Sequence, residues 1–528
     1  MNSYSRWPIE RFSSRTTLWA MLVGTLALVS CSDGVSAPES ISPKSTRPRI
    51  AATSGRVELP ARAKAYKRYL GASSYRLFFG KRTGGHGFSL PGGAGRGQGP
   101  SPNDFSDQLV NDRSEIGLGQ SEVTLAAHGG TIVVGWNDAT GFYQFDQGVI
   151  GWGLSPDGGN TFIDKGGLPR IPTPGFLHGG DPGLAVDQGG TFYFTGLCFD
   201  FDTGLSGICL TIGRRSGNTI SWRTPIYAAS SLSDLLDKPF IAVSRDGRDV
   251  YVSYTRFSET APFGQIEVVT SHDAGNTVGA PVVVGPAIDG VVNQGSEPAV
   301  GPGGEVYVIW ERGWLTSFTP DIVASRSLNQ GASFSVPVVI RTIASIAFSP
   351  PAGYNRPQIN DFPRIAVART GPHRGEVYAA FHDASAGTAD VYLSRSSNGV
   401  GWSAPVRIND QTTDYQFWPT VSVEPGGNVD VLWYDRRLDP GTAITNTFWS
   451  QSVDGGSHFR ANVRLSDVGS NWATAVSDII PNFGDYNDIA TGGNRTFAAW
   501  GDGRLGDPDV FFSELRGTGK RPETVATQ

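Results

Sequence analysis

Between Phe417 and Asp467 the chain alternates apolar and polar residues in short runs separated by turn-forming residues. Val421 and Val423 precede Gly426-Gly427, Val429 and Val431 follow it, and Asp454-Gly455-Gly456 marks a second hairpin. Period-two alternation bounded by such turns predicts four antiparallel strands. One four-stranded sheet cannot bury both of its faces, so the chain must supply others to stack against it.

It supplies six. The first two strands recur as EVTLAAHGG with TIVVGWND (Glu122 to Asp138), DPGLAVDQGG with TFYFTG (Asp181 to Gly196) and KPFIAVSRDG with DVYVSYTR (Lys238 to Arg256). They recur again as EPAVGPGG with EVYVIWER (Glu297 to Arg312), FPRIAVARTG with EVYAAFHD (Phe362 to Asp383) and YNDIATGG with RTFAAWGD (Tyr486 to Asp502). Self-similarity at about 50–70 residues, all of it in strands, predicts an all-β fold, a β-propeller of four-stranded antiparallel sheets. The last repeat ends at DVFFSEL (Asp509 to Leu515) without a fourth strand, whereas FSDQLVND (Phe105 to Asp112) resembles the fourth strands SAPVRIND (Ser403 to Asp410) and RANVRLSD (Arg460 to Asp467). The N-terminal strand is therefore expected to complete the last sheet and close a seven-bladed ring, leaving no exposed edge.

The turn after the third strand carries a second recurrence: SPDGGNTF at Ser155, SHDAGNTV at Ser271, SLNQGASF at Ser327, SSNGVGWS at Ser396 and SVDGGSHF at Ser452, with a degraded copy, RRSGNTIS, at Arg214. Asp or Asn can accept bonds from the turn's own N–H groups, Gly supplies positive φ, and the closing aromatic can pack between sheets. These turns resemble the Asp-box, or BNR repeat, of the sialidase superfamily. The resemblance spans the propeller, about four-fifths of the chain, and implies a glycan-directed protein.

Ahead of the repeats, Arg6, Arg11 and Arg15 precede an apolar run from Leu18 to Val29, too short to span a bilayer and typical of an export signal over residues 1–30. Leu28-Val29-Ser30-Cys31 resembles a bacterial lipobox, which implies lipidation of Cys31, and Ser32 after it implies an outer-membrane location. Residues 31–104 are rich in Ser, Pro and Gly and read as a tether, residues 105–517 as the propeller and 518–528 as a polar tail. Three Arg against one Glu in the signal, and twelve Lys or Arg against four acids in the tether, leave the remainder at −16 in a chain whose net charge is −6. An acidic propeller argues against nucleic acid as a partner. The counts of Gly, 69, and Met, 2, suit many tight turns around stacked sheets. Cys198 and Cys209 fall on adjacent antiparallel strands of the second repeat and, in an oxidising compartment, are expected to form a disulfide.

The Gly-rich turns after each first strand and the Asp-boxes share one face. The long connections gather on the other: Ala139 to Gln147, Phe257 to Gly264, Gly313 to Pro320, Ile343 to Asn360, Leu438 to Asn446 and Val468 to Gly484. Variable loops on one rim mark the binding face of a repeat protein. First strands begin and second strands end there, so the rim collects Asp181, Glu311, Asp435 and Tyr486 as candidate catalytic groups. It also offers Arg312, Arg364, Asp383, Trp418, Arg436, Asp502 and Arg504 as candidate binding groups. Carboxylates, guanidiniums and aromatic rings in alternation suit a carbohydrate or other polar polymer.

Sialidases hold a substrate carboxylate with three arginines, attack with a Tyr activated by Glu and use an Asp as acid/base. On that resemblance Arg312, Arg436 and Arg504 supply the arginines, Tyr486 or Tyr434 the nucleophile beside Glu297 or Glu311, and Asp138 or Asp181 the acid/base. The chain departs from sialidases in its blade number and in its first inner strand, EVTLAA, which lacks their F/Y-R-I-P sequence. Two functions stay open: a glycoside hydrolase, or a non-catalytic carbohydrate- or protein-binding module. The seven His residues are scattered and no P-loop, H-E-x-x-H, zinc-spaced Cys pair or G-x-S-x-G occurs, so no cofactor or metal is expected. Asp502, Asp507 and Asp509 read as loop acids rather than calcium ligands.

Overall fold

The computed structural model describes residues 107–515 except Phe145 and 259–263. The expected export signal, Cys31, the tether and the tail lie outside the described residues. Seven antiparallel sheets follow one another along the chain. Their inner strands are Gln120–His128, Phe176–Val186, Leu235–Val243, Asn293–Val300, Arg364–Val367, Gln416–Val423 and Asp488–Gly492, which define blades 1 to 7. Blade 2 adds a short strand, Thr219–Trp222, where its Asp-box is degraded, and blade 6 adds Ser470–Asn471.

The ring closes through the N-terminal strand Gln108–Leu109, which pairs antiparallel with Asp509–Leu515 in the register Gln108 to Phe512 and Leu109 to Phe511. Val110 N extends the ladder to Val510 O at 2.9 Å. Val110 also joins Phe497 and Phe512 in the apolar layer between blades 7 and 1, so closure buries side chains as well as pairing an edge.

Each Asp-box is a self-satisfied turn that docks on the preceding blade. In blade 1, Ser155 Oγ donates to Asp157 Oδ1 at 2.9 Å, and Asn160 N and Thr161 N donate to the same oxygen at 3.1 and 3.0 Å. Gly159 sits at φ 93°, and a Cβ there would lie 2.4 Å from Phe512 of blade 7; Gly399 of blade 5 stands likewise 2.4 Å from Tyr307 of blade 4. Only glycine fits both the backbone conformation and the approach. The aromatic closing the turn then packs between sheets, as Phe162 does on Phe512 at 4.8 Å. In blade 2, Cys198 and Cys209 are joined by a disulfide, with Cα atoms 5.9 Å apart.

Candidate functional site

The inner strands share a feature that builds the axis. In blades 1, 2, 3, 4 and 6 the pairing register shifts by one residue near the start of the strand. At each shift one residue takes a left-handed conformation: Glu122 and Asp181 at φ 53°, Lys238 at 50°, Gly295 at 69° and Trp418 at 49°. A non-glycine residue there costs on the order of 1 kcal/mol, so four such residues at one structural position signal a constraint imposed by their surroundings. The bulge aims their side chains at the centre of the ring. Lys238 Nζ from blade 3 lies 2.6 Å from Glu122 of blade 1, 3.5 Å from Asp181 of blade 2 and 2.8 Å from Asp485 at the start of blade 7.

All four groups are buried, and the electrostatics follow from burial and from one another. Burial, with Asp181 beside it, raises Glu122 well above the ordinary carboxyl range. Burial also raises Asp181 to about 6 and Asp237 to about 7, with Lys238 opposing both shifts. Asp485 goes the other way: burial works against its charge, but Arg356, at 2.8 Å, and Lys238 hold it well below the usual range. Tyr486 is pushed well above its ordinary value by burial and by Glu122 and Asp181, and its hydroxyl donates to Pro182 O at 2.9 Å. A phenol so placed is held neutral and already engaged. It is not set up as a phenolate nucleophile.

Two of the long loops close the axis on the loop-rich face. Tyr354 Oη donates to Gly484 O at 3.0 Å and Asp485 Oδ1 at 3.1 Å. Asn355 and Asn482 bond reciprocally, N to Oδ1, at 3.3 and 2.8 Å, so the two loops are tied across the ring. Trp472 stacks on Phe483 at 4.2 Å, and Tyr354 lies 5.8 Å from Trp418.

Of the candidate residues, the structure gathers Asp181, Tyr486, Trp418 and Arg364 at the axis and leaves the others apart. Asp435 accepts from Trp433 Nε1 at 2.8 Å and pairs with Arg437 at 2.7 Å; Asp502 accepts from Trp500 Nε1 at 3.0 Å and pairs with Arg504 at 2.6 Å. The repeated W-x-D-x-R is thus a clasp at the end of the second strand in blades 6 and 7. Its arginines stack on Phe448 and Phe511. Arg436 is 1 % exposed and donates to Ala352 O, Thr442 O and Thr445 Oγ1, which fixes the loop spanning 343–360. Asp383 accepts from Ala344 N and Ser385 N and pairs with Arg341, anchoring the other end of that loop. Glu311 is buried and accepts from Asp361 N at 3.1 Å, and Arg312 pairs with Asp321 at 2.7 Å. Asp507 and Asp509 both pair with Arg113. Asp435 and Arg436, placed by the sequence among the candidate groups of the binding rim, are instead buried: Asp435 is paired with Arg437, and Arg436 bonds only hydroxyl and carbonyl oxygens among the described residues.

Open space lies at the other end of the axis. A cavity of about 440 Å³ is lined by the C-terminal halves of all seven inner strands and opens among the Gly-rich turns, where His128, Gln188 and Arg245 are exposed. At its inner end Arg364 lies 3.3 Å from Glu297 and 3.1 Å from Asp488 and stacks on Phe240 at 4.6 Å. Burial lifts Glu297 to about 7 against the pull of Arg364, and burial also raises Asp488. Arg364 borders a second void of about 10 Å³, beside Asp485 and Tyr486, on the way to the upper charge cluster.

No protein-family model matches this sequence, and no curated protein matches it. Solved structures similar to it include the GH93 α-L-arabinofuranosidase of Fusarium graminearum in complex with arabinobiose, at 13% identity and TM-score 0.44, covering 62% of this chain and 92% of that one. A PL25 ulvan lyase is similar at 12% identity and TM-score 0.46, covering 75% and 93% of the two chains, and a Hadza microbial sialidase at 12% and 0.41, covering 70% and 73%.

Sequence reading does not single out Lys238, Arg356, Arg245 or Arg369. The signal for Lys238 is register: Asp181-Pro182, Lys238-Pro239, Phe362-Pro363 and Trp418-Pro419 occupy one position of the repeat, and aligning them shows which side chains meet at the axis. Arg356 belongs to an insertion with no counterpart in other blades. Arg245 and Arg369 sit in the short turns, on the face where no long loops gather.

Proposed function

We propose that this protein is an exported, lipid-anchored propeller that binds a saccharide in its axial cavity from the Gly-turn face. The observation that carries the reading is the cavity itself. About 440 Å³ falls within the range of sites that enclose a small ligand. Its wall alternates apolar side chains such as Ile241 and Val367 with Ser422, Thr491, Glu297, Arg364 and Asp488, a mixture suited to sugar hydroxyls and sugar faces. The Asp-box resemblance supports a glycan, and the Cys198–Cys209 disulfide supports an oxidising, exported setting.

A second reading, glycoside hydrolysis, is favoured by Glu297 and Asp488. They flank one guanidinium at the inner end of the cavity, and a carboxyl titrating near 7 is suited to proton donation at neutral pH. A glycan binding and turnover screen of the wild type, Ser422→Trp and Glu297→Gln separates the two. The bulky Trp should block binding in either case. Glu297→Gln should abolish turnover while retaining ligand if the protein is an enzyme, and change only affinity if it is a binding module. Ligand retention unaffected by Ser422→Trp sinks the cavity assignment. For the anchor, Cys31→Ala should release the protein from membrane fractions, and continued membrane association after that change refutes lipidation.

A further inference from the structure

We propose that Arg245 and Arg369, at the Gly-turn mouth of the axial cavity, form an oxyanion site that takes the carboxylate, sulfate or phosphate group of a small ligand. The proposal deepens the saccharide reading above and rests on it only for the rest of the ligand. Both residues line the 440 Å³ cavity. Neither guanidinium has a hydrogen bond or ion pair among the described residues, although nearly every other arginine near the axis is paired. Carboxylates of the turns that border the cavity, and Asp246 next to Arg245, have partners of their own. Asp187 accepts from Gly189 N and Thr191 N at 2.8 and 2.9 Å, and Glu424 accepts from Asn428 Nδ2 at 2.7 Å. Asp246 accepts from Ser244 Oγ at 2.6 Å.

A second observation comes from the cavity's inner end. Arg364 is 6 % exposed, and its Nη1 has no hydrogen-bond partner among the described residues. Three guanidiniums with spare donors therefore border one cavity, two at the mouth and one within. Burial, and next the Arg245 charge, hold Arg369 below the ordinary arginine range. Two like charges held near each other without a counterion leave a deficit that a bound anion relieves, and the planar fork of each guanidinium matches an oxyanion. Residues 105–528 together carry −16, so the attraction is local. That combination favours a single acidic group on a small ligand or a chain end, since a long polyanion would be repelled by the rest of the surface.

The test uses calorimetric titration of the intact protein with sodium glucuronate, methyl glucoside, sulfate and phosphate at fixed ionic strength. Arg369→Gln and Arg245→Gln should each weaken glucuronate binding about tenfold or more, as loss of a charge-assisted contact implies. Neither should weaken methyl glucoside or lower the unfolding midpoint, because no protein partner is lost and a repulsion is removed. A residue with a structural role would lower that midpoint. Glucuronate held far better than sulfate or phosphate identifies an acidic sugar. Sulfate or phosphate bound, without either sugar, upholds the oxyanion site and overturns the saccharide reading. Methyl glucoside bound as well as glucuronate overturns the oxyanion site and leaves the saccharide reading standing. Absence of binding by every probe, or anion binding indifferent to both substitutions, refutes the proposal.

Discussion

Lys238→Met tests whether the axial charge cluster is held together by a single cation. Methionine keeps most of the volume of the stem and leaves the left-handed backbone as it was, so the change is chiefly the removal of charge at Nζ. That atom stands 2.6 Å from Glu122, 2.8 Å from Asp485 and 3.5 Å from Asp181, with all four side chains no more than 1 % exposed. Removing one member of a buried ionic group costs about 3–5 kcal/mol because its partners stay buried and uncompensated. The cost must depend on pH. Asp181 titrates near 6 and Asp237 near 7 in the folded protein, above the unfolded value of about 3.9, so the folded state binds more protons between about pH 4 and 7 and stability falls as pH rises through that window. Without Lys238, which lowers both, these carboxyls stay protonated to higher pH. The penalty is then smaller at pH 5, where these two are largely neutral and the loss falls chiefly on Asp485, which keeps its charge, and larger at pH 8. Lysine titration lies outside this range: Lys238 is raised, so its stabilisation is fully present below its unfolded value of about 10.4. Urea unfolding of wild type and variant at pH 5 and pH 8 measures the difference. A loss under about 1 kcal/mol at pH 8, or an equal loss at both pH values, refutes a cluster held by this cation.

Asp435→Ala should destabilise by about 3–5 kcal/mol in urea unfolding, since it strips Trp433 and Arg437 of a fully buried partner; ligand loss at unchanged stability would instead place Asp435 in a binding site. Asp454→Ala should cost about 1 kcal/mol at neutral pH and leave saccharide binding alone, because the carboxylate serves Ser457 N and His458 N inside its own turn. His458 and the turn hold Asp454 well below the ordinary range, so its contribution is present above about pH 4 and fades on acidification, and a difference between the two proteins that persists in acid contradicts that role.

The blades, their number, the closing strand and the Asp-box turns were legible because each is written locally: period-two alternation, turn residues at fixed offsets, and one fourth strand displaced to the other end of the chain. The site was less legible for a physical reason. Whether a charge at a strand end meets solvent depends on what a distant segment does. Asp435 and Asp502 look like rim acids until Trp433, Arg437, Trp500 and Arg504 are seen to enclose them, and the W-x-D-x-R spacing that encodes this is itself in the sequence. The closing of the loop-rich mouth is harder to read, since Tyr354 and Arg356 come from an insertion whose path no periodicity describes.

The two ends of the axis now differ in a way that follows from one repeat position. At the upper end the bulge sets Glu122, Asp181 and Lys238 inward, and every charge there has an opposite charge within reach, completed by Asp485 and Arg356. Such a cluster fixes the relative rotation of four blades, and the loops tied across the ring by Asn355 and Asn482 cover it on that side. Two residues further along each strand, the same register brings Glu297, Arg364 and Asp488 to the head of an open cavity, and there compensation is incomplete: Arg364 keeps a free donor, while Arg245 and Arg369 at the mouth have no partner among the described residues. The buried Arg364 donor is left unmatched by the fold, whereas the exposed Arg245 and half-buried Arg369 at the mouth stay open to water or a counterion. The imbalance is therefore the feature of the axis that a ligand, rather than the fold, would satisfy.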